Sequence, residues 1–479
     1  MNFTKFSGVF RAPLALAVIT LGPAVCAQAQ TFATLASFDG DNGSAPQYGS
    51  LVQGTDGNYY GTTQYGGPKD TGVLFQVTPS GELTVIYKFC SRAKCTDGKA
   101  PWSGPVLGSD GNFYGTTNAG GSGKQNAGTI YKMTPGGALT TLYTFCPTAP
   151  SPCDDGTNPI ALMQASNGNF YGVAANYGAN NNGTIFELSK SGVFKVLYSF
   201  CALANCADGE EPYAGLMQAS NGNLYGTTAR GGAYGNGAVY EISPAGYFRT
   251  IHSFCAQRPG CADGATPYAG LVEDANGNLY GTTYYGGANG YGSVFEITVA
   301  HKFILVHSFD NTDGSYPTSA LIVASDGSLY GTTAFGSNGP GTIFQITAGN
   351  EFHSLYTFCT CTGTNPFAAL LQATDGTFYG TTMGGSTSNN GSIFSFSTGL
   401  GPLVETVPTA AKVGAHVIIL GNNLDGSTAV SFNGTAALFT VVSNSEITAT
   451  VPTGATTGMI SVTTSTGTLN SNPAFQILK

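Results

Sequence analysis

The residues best suited to chemistry are acidic and aromatic side chains that recur in glycine-rich loops. One set of loops carries aspartates that each precede a glycine and then a proline: Asp97, Asp155, Asp208, Asp263 and Asp313. Aromatic residues follow such prolines: Trp102, Tyr213, Tyr268 and Phe367. A second set of loops carries aromatic residues beside glycines: Tyr65, Tyr177, Tyr234, Tyr285 and Phe335.

Aromatic rings interleaved with carboxylates suit saccharides. The C–H faces of sugar rings stack on aromatic rings, and the sugar hydroxyls form hydrogen bonds with polar side chains. We therefore treat both sets as candidate ligand-binding residues. The alternative is that the aromatic side chains pack between structural units and that the aspartates shape turns.

Catalytic signatures are absent from the sequence. It contains no Gly-x-Ser-x-Gly, His-Glu-x-x-His, P-loop or dinucleotide-binding motif. Carboxylates from separate units can still meet around one axis, as a glycosidase or lyase requires. We expect a non-enzymatic binding or adhesion protein for a glycan or protein ligand. The alternatives are a carbohydrate-active enzyme, either a glycoside hydrolase or a polysaccharide lyase, and a structural component of the cell envelope.

Two acidic loops are candidate calcium sites, and no other cofactor is expected. They contain Asp39 with Asp41, and Asp310 with Asp313. Short acidic loops with glycine can offer some of the oxygen ligands that Ca²⁺ requires, with carbonyls and water completing the shell. The ordinary alternative is a solvated turn that the aspartate side chain caps.

A sevenfold repeat must position these loops. The phrase Tyr-Gly-Thr-Thr, which becomes Tyr-Gly-Val-Ala in the third copy, recurs at steps of 54, 57, 54, 55, 50 and 49 residues. It begins at Tyr60, Tyr114, Tyr171, Tyr225, Tyr280, Tyr330 and Tyr379. Each repeat reads as four short β-rich runs, such as 214–220 in the fourth copy, separated by glycine, proline, asparagine or aspartate. An Asn-Gly or Asp-Gly pair before the phrase favours a tight hairpin turn with both residues at positive φ.

Seven four-stranded repeats predict a seven-bladed β-propeller. The last repeat provides three strands before the composition changes. A matching fourth strand stands alone at residues 31–38, where it can close the ring. Residues 403–479 form short period-two runs with turn signals, which predict an immunoglobulin-like β-sandwich. The expected fold is therefore all-β, with a propeller over residues 30–398 followed by the sandwich.

Cysteine spacing predicts local disulfides. Ten cysteines beyond Cys26 fall into five close pairs: Cys90/Cys95, Cys146/Cys153, Cys201/Cys206, Cys255/Cys261 and Cys359/Cys361. Zinc binding is the alternative, but no pair has a second pair or a histidine at finger-like spacing. The last pair would close a very tight ring, so it can also be strained or unpaired.

The first 29 residues predict export. Lys5 and Arg11 lead into an apolar stretch that ends in Ala27-Gln-Ala29, a cleavage signal. We expect a secreted, periplasmic or cell-surface protein without a transmembrane segment, and a monomer. Removing the two basic residues changes the formal charge from −9 to −11. This acidity argues against nucleic acid and anionic membranes as partners.

Two resemblances accompany these patterns. The C-terminal segment resembles the IPT/TIG family through Val417-Ile-Ile-Leu-Gly421, Val430-Ser-Phe432-Asn-Gly434 and Ile447-Thr-Ala-Thr-Val451-Pro452. That resemblance implies an extracellular spacer or binding module without a catalytic set.

The repeats resemble the bacterial tandem-repeat GloVer-containing family with varied anchors. The phrase with its preceding Asp/Asn-Gly-Asn, the Gly-Gly loop and the Gly-Thr-Ile-Phe pattern at Gly183 and Gly341 carry the resemblance, which spans residues 31–397. It implies an extracellular repeat protein but no established activity. Members often end in a sorting segment, whereas this sequence ends in Phe475-Gln-Ile-Leu-Lys479.

Overall fold

A computed structural model describes residues 30–123, 125–147, 153–256, 260–336 and 339–478. The predicted signal peptide lies outside these residues. Seven four-stranded antiparallel sheets follow one another along the described chain and form the blades of a β-propeller. An immunoglobulin-like sandwich follows them. The predicted fold class is thus confirmed.

The two inner strands of each blade lie nearest the propeller axis. The innermost strands are Val52–Gln53, Val106–Leu107, Thr157–Gln164, Met217–Gln218, Val272–Glu273, Ile322–Val323 and Leu371–Gln372. The second strands are Tyr59–Thr63, Phe113–Thr117, Phe170–Asn176, Leu224–Thr228, Leu279–Thr283, Leu329–Thr333 and Phe378–Thr382. Most innermost strands are shorter than the apolar runs that predict them, because only their last residues pair with the second strand.

The outer strands complete each blade. The third strands are Val73–Val77, Thr129–Met133, Thr184–Leu188, Ala238–Ile242, Ser293–Ile297, Thr342–Ile346 and Ser392–Ser397. The fourth strands are Leu83–Lys88, Leu139–Thr144, Phe194–Ser199, Phe248–Ser253, Phe303–Ser308, Phe352–Thr357 and, in blade 7, Thr31–Ser37. Thr31–Ser37 pairs antiparallel with Ser392–Ser397, so the N-terminal strand closes the ring as the sequence predicts.

The repeated phrase joins each blade to the next. In blade 4, the Thr227 hydroxyl donates to the carbonyl of Ala269 in blade 5 over 2.9 Å. The Thr228 hydroxyl donates to the Arg230 carbonyl and holds the following loop. A side chain at Gly226 would overlap the ring of Tyr240 and Leu216. The phrase therefore serves blade packing rather than chemistry.

A ring of buried phenylalanines also locks neighbouring blades together. Each one directly follows a fourth strand and meets an aromatic side chain on the third strand of the next blade: Phe38, Phe89, Phe145, Phe200, Phe254, Phe309 and Phe358. Phe38 meets Phe75 edge-on with ring centroids 5.1 Å apart, so blade 7 packs on blade 1 as the other blades pack on their neighbours. Such pairs add to the stabilisation from burial alone.

The Asp-Gly turn differs from the predicted geometry. In blade 1 only the glycine, Gly57, has a positive φ, at 80°. The Asp56 carboxylate instead accepts hydrogen bonds from the N–H of Asn58 and the hydroxyl of Tyr60, at 3.1 and 2.9 Å. Because the loop also closes through Gly54 and Asn58, it is longer than a two-residue hairpin and needs only one left-handed residue.

The sandwich has two main sheets. One contains Glu405–Val407, His416–Leu420, Glu446–Thr450 and Phe439–Ser443, and the other contains Thr435–Ala436, Ala429–Phe432, Ile460–Thr464 and Gly467–Asn470. Ala410–Lys412 pairs in parallel with Gln476–Leu478. The sequence reading missed the short strand Glu405–Val407, which lies next to the propeller.

The sandwich packs against one end of the propeller. Asn422 donates to the Thr374 hydroxyl over 2.9 Å, and Ser445 donates to the Thr55 carbonyl over 2.7 Å. Leu420 belongs to the same buried cluster as Tyr60 of blade 1. Helical structure in the described chain consists of the 3-10 turns Ala93–Cys95 and Ala204–Cys206. No helix among the described residues has the length and hydrophobicity to span a bilayer.

Candidate functional site

A channel along the propeller axis forms a cavity of about 890 Å³. The innermost strands and the segments leading into them line its wall, while Glu405, Val407 and Leu420 of the sandwich line its floor. Glu405 and Leu420 are cross-strand partners, and Val407 lies two residues beyond Glu405 on the same face. The channel is therefore a cup, which is open on the loop face and closed by the second domain.

Small residues make the channel wide. Counted back ten residues from the tyrosine of each repeated phrase, every blade has serine, glycine or alanine: Ser50, Gly104, Ala161, Gly215, Gly270, Ala320 and Ala369. All seven line the cavity. Since these side chains are short or absent, backbone surrounds the axis at this level and leaves room for a ligand.

A ring of aromatic residues surrounds the open mouth. It lies twelve residues before the phrase tyrosine, two positions ahead of the small residues. Five blades carry an aromatic residue there and two do not: Tyr48, Trp102, Tyr213, Tyr268 and Phe367, with Pro159 and Thr318 in blades 3 and 6. All five aromatic side chains line the cavity, and we call them the mouth ring.

Contacts divide the mouth ring into two clusters. Tyr48 stacks on Trp102 with centroids 4.9 Å apart and planes 4° apart, and it lies 5.8 Å from Phe367. On the other side Tyr213 lies 5.8 Å from Tyr268, which meets Tyr284 edge-on at 5.4 Å. Blades 7, 1 and 2 supply the first cluster, while blades 4 and 5 supply the second.

The tyrosine hydroxyls of the mouth influence one another. Burial raises the pKa of Tyr48, and the Tyr268 hydroxyl raises it further. The pKa of Tyr284 is raised by burial and then by neighbouring tyrosines, which include Tyr48 and Tyr268. Tyrosines from blades 1 and 5 thus line the same cavity. They stay protonated at neutral pH and can donate hydrogen bonds.

One ion pair lies at the mouth. Arg230 Nε is 3.3 Å from Glu211 Oε2, and both residues line the cavity. The arginine side chain is mostly exposed, so the pair itself stabilises the fold little. Its guanidinium and carboxylate instead offer polar groups beside Tyr213 and Tyr268.

The remaining candidate aromatic residues lie in the second set of loops, around the mouth ring. Tyr285 lines the cavity, whereas the other four do not: Tyr65, Tyr177, Tyr234 and Phe335. All five are exposed on the loop face. Isolated β-bridges such as Ser44 to Tyr65 and Ser315 to Phe335 join the two sets of loops on this face. The candidate aromatic residues thus share one face, and part of them enters the channel.

The candidate aspartates Asp97, Asp155, Asp208, Asp263 and Asp313 do not line the cavity. The Asp208 carboxylate accepts hydrogen bonds from the Tyr198 hydroxyl at 2.8 Å and from the N–H groups of Ala202 and Leu203. Tyr87 and Tyr143 contact Asp97 and Asp155 similarly, and His252 and His307 contact Asp263 and Asp313. Each carboxylate therefore faces the loop after the fourth strand.

Five disulfides close loops that follow fourth strands, as predicted. They join Cys90 to Cys95, Cys146 to Cys153, Cys201 to Cys206, Cys255 to Cys261 and Cys359 to Cys361. The structure thus also joins the last pair, for which the sequence left open a free state.

The calcium candidates have local hydrogen-bond partners. Asp39 Oδ1 accepts from the N–H of Asn42, and Asp310 Oδ1 accepts from the N–H and hydroxyl of Thr312. These bonds lower the pKa of Asp310. Asp41 lies in the same loop as Asp39, and Asp313 contacts His307 at 2.8 Å. Among the described residues, no group of three or more His, Cys, Asp or Glu is placed to hold a metal ion.

Sequence reasoning missed several channel residues: Tyr48, Glu211, Arg230, Tyr284 and Glu405. Tyr48 was missed because it does not directly follow a proline. Blade 1 has one extra residue between the proline and the aromatic residue. Counting back from the repeated phrase would have found it. Glu405 had no signal, since it reaches the channel from another domain.

The solved structures that match this chain share little sequence with it. A gluconolactonase from Xanthomonas campestris is 11% identical, with 64% of this chain and 86% of that chain covered and a TM-score of 0.37. A protein of unknown function from Bacteroides thetaiotaomicron is 14% identical, with 77% and 76% covered and a TM-score of 0.42. No curated protein matches this chain significantly in sequence.

Family models match nearly the whole chain. The Gloeobacter/Verrucomicrobia repeat matches residues 24–206 and 202–394, and the IPT/TIG domain matches residues 404–477. Both domains, together with the disulfides, fit an extracellular β-propeller protein. The chain belongs to the Gloeobacter/Verrucomicrobia repeat family and carries an IPT/TIG domain after its repeats.

Proposed function

We propose that this protein is an exported saccharide-binding protein and that its channel takes the end of a linear oligosaccharide. The mouth ring carries this proposal: five blades place an aromatic residue at the same sequence position at the mouth of a wide channel. Aromatic surfaces that face a cavity provide stacking area for sugar rings, and the nearby hydroxyls and the Glu211–Arg230 pair can orient sugar hydroxyls.

The dimensions of the channel favour an extended ligand. Its volume of about 890 Å³ is at the upper end of the range for small-molecule sites, which is about 300–1,000 Å³. Tyr48 at the mouth and Gln53 at the end of the innermost strand are five residues apart, which corresponds to about 16 Å of extended chain. A single sugar ring cannot reach from the mouth to the floor, whereas several linked rings can.

The positions of the carboxylates favour binding over hydrolysis. Glycoside hydrolases use two carboxyl groups about 5–10 Å apart. Here Glu211 lies at the mouth, paired with Arg230, and Glu405 lies at the floor. The two acids therefore lie towards opposite ends of the channel. The five candidate aspartates are bonded within their own loops, so they do not supply a second acid near either residue.

Trp102 provides the test of this function. Isothermal titration calorimetry with a panel of linear oligosaccharides should detect saturable binding, and Trp102→Ala should weaken it about tenfold or more, since one stacked base or ring contributes on the order of 1–3 kcal/mol. Tyr247→Ala is the matched control, because Tyr247 is 81% exposed and does not line the channel. Equal effects of the two substitutions on affinity, or no binding across the panel, would refute the proposal.

A further inference from the structure

Glu405 is the one channel residue whose charge has no partner in the described chain. Its carboxylate forms no hydrogen bond or ion pair with any described residue, although it affects the pKa of the nearby Tyr59. The residue is half-buried, and the open side is the channel. Of the other charged side chains in the described lining, Glu211 and Arg230 are bonded to each other.

An unpaired carboxylate in such a place is costly. Its surroundings on the floor are mostly apolar and include Val407, Leu420, Val52 and Leu107, while the nearby Gln53 amide is bonded to Thr374. Burial accordingly raises the pKa of Glu405 to about 7. Buried charges in proteins are normally paired or hydrogen-bonded, so a ligand group that supplies a positive charge would relieve this cost most effectively.

Two further observations favour a cation. The mouth ring lines the channel entrance with aromatic side chains, and aromatic faces attract ammonium groups. The mature chain is also acidic, with a formal charge of −11 when the −9 of the full chain is corrected for Lys5 and Arg11. This field raises the local concentration of cationic ligands.

We propose that the ligand is a saccharide with an unsubstituted amino group near its leading end, and that this ammonium group binds the Glu405 carboxylate at the channel floor. This inference rests on the proposed function and assigns the choice of ligand to a residue of the IPT/TIG domain. The propeller supplies the stacking surface, and the sandwich supplies the charge.

Other classes of sugar would bind the Glu405 carboxylate less well. A neutral sugar offers hydroxyl donors but no charge, and an N-acetylated sugar offers an amide N–H without charge. A uronic acid brings a second carboxylate next to Glu405 and is repelled. Hydrogen bonds to a charged group contribute more than neutral ones, typically about 1.5–3 kcal/mol.

The experiment compares three linear oligomers of equal length: β-1,4-linked glucosamine, N-acetylglucosamine and glucose. Calorimetry is carried out with the full chain near pH 7, where a large share of the Glu405 carboxyl groups is ionised and a large share of the amines is still protonated. Glucosamine oligomers should bind most tightly, and Glu405→Gln should weaken their binding about 10- to 100-fold. The same variant should leave the affinity for glucose oligomers within about twofold.

Asp425→Asn is the matched control for charge. Asp425 is an exposed acid of the same domain that does not line the channel, so this variant should retain the preference for glucosamine oligomers. Glucose oligomers that bind as tightly as glucosamine oligomers, with no effect of Glu405→Gln, would overturn this inference and leave the proposed function standing. No binding by any oligomer would refute both. Lysine oligomers that bind more tightly in a Glu405-dependent manner would overturn the saccharide assignment.

Discussion

At the scale of single residues, most of the conspicuous side chains of the repeats stabilise the fold. The phrase tyrosine and the first threonine contact the next blade, the second threonine holds the following loop, and the glycine leaves room for a ring of its own blade. The five aspartates hold the loops after the fourth strands. In blade 3, Val173 and Ala174 replace both threonines and remain buried. That blade keeps apolar residues in place of the threonines, which shows that neither threonine is indispensable.

The hydroxyl of Tyr240 offers a test of this packing. It is buried without a hydrogen-bond partner among the described residues. Five other blades carry phenylalanine at this position: Phe75, Phe186, Phe295, Phe344 and Phe394. Tyr240→Phe should therefore raise the free energy of unfolding by about 1 kcal/mol, because it removes an unsatisfied polar group without changing the ring. Urea denaturation measures the difference.

Tyr225→Phe is the control for that substitution. The Tyr225 hydroxyl accepts a hydrogen bond from Asn221 at 2.8 Å and donates one to Glu241 at 2.9 Å. Its removal should lower the free energy of unfolding by about 1 kcal/mol or more. If Tyr240→Phe were as destabilising as Tyr225→Phe, the Tyr240 hydroxyl must have a partner, and the packing described here would be wrong.

The sequence could predict the residues of the mouth only in part. Trp102, Tyr213, Tyr268 and Phe367 follow prolines, so the loop pattern indicates them. Tyr48 occupies the same position in space after a one-residue insertion, and distance from a proline misses it. Glu211, Arg230 and Tyr284 belong to different loops along the sequence. Only the folded propeller brings these loops together at one mouth.

At the scale of elements, the propeller depends on equivalence between blades. Phe38 on the N-terminal strand and Phe254 in blade 4 are both fully buried. Their ring centroids lie 5.1 Å from Phe75 and from Phe295, with interplanar angles of 65° and 63°. The closing joint is thus built like an internal joint.

Leucine substitutions at these two positions test the closure. Phe38→Leu and Phe254→Leu should each lower the free energy of unfolding by about 1–3 kcal/mol, since both remove ring contacts from equivalent buried sites. The unfolding transition of the propeller should stay cooperative in both variants, as followed by circular dichroism. A stability loss in Phe254→Leu but none in Phe38→Leu would mean that the N-terminal strand does not close the ring.

Strand order was predictable, whereas strand ends were not. The repeat phrase and the isolated strand at 31–38 predict a closed ring because each blade needs a fourth strand. The innermost strands are shorter than predicted because the residues before them line the channel without a pairing neighbour. Glu405–Val407 was missed because a three-residue strand leaves almost no periodic pattern, although it supplies the floor of the site.

At the scale of the whole molecule, two domains build one cavity. The propeller alone would have a channel open at both ends, and the IPT/TIG domain closes one of them through Glu405, Val407 and Leu420. Under the proposed function, this arrangement gives the second domain a part in binding beyond that of a spacer. A ligand that enters from the loop face would pass the aromatic mouth before it reaches Glu405.

The sole tryptophan of the chain, Trp102, tests the central claim most directly. Because it lies in the mouth ring, stacked on Tyr48, its fluorescence reports occupancy of the channel. Titration with a linear glucosamine oligomer should change its emission saturably, with the same dissociation constant that calorimetry gives. Calorimetric binding without any change in Trp102 emission would place the ligand elsewhere and contradict the account.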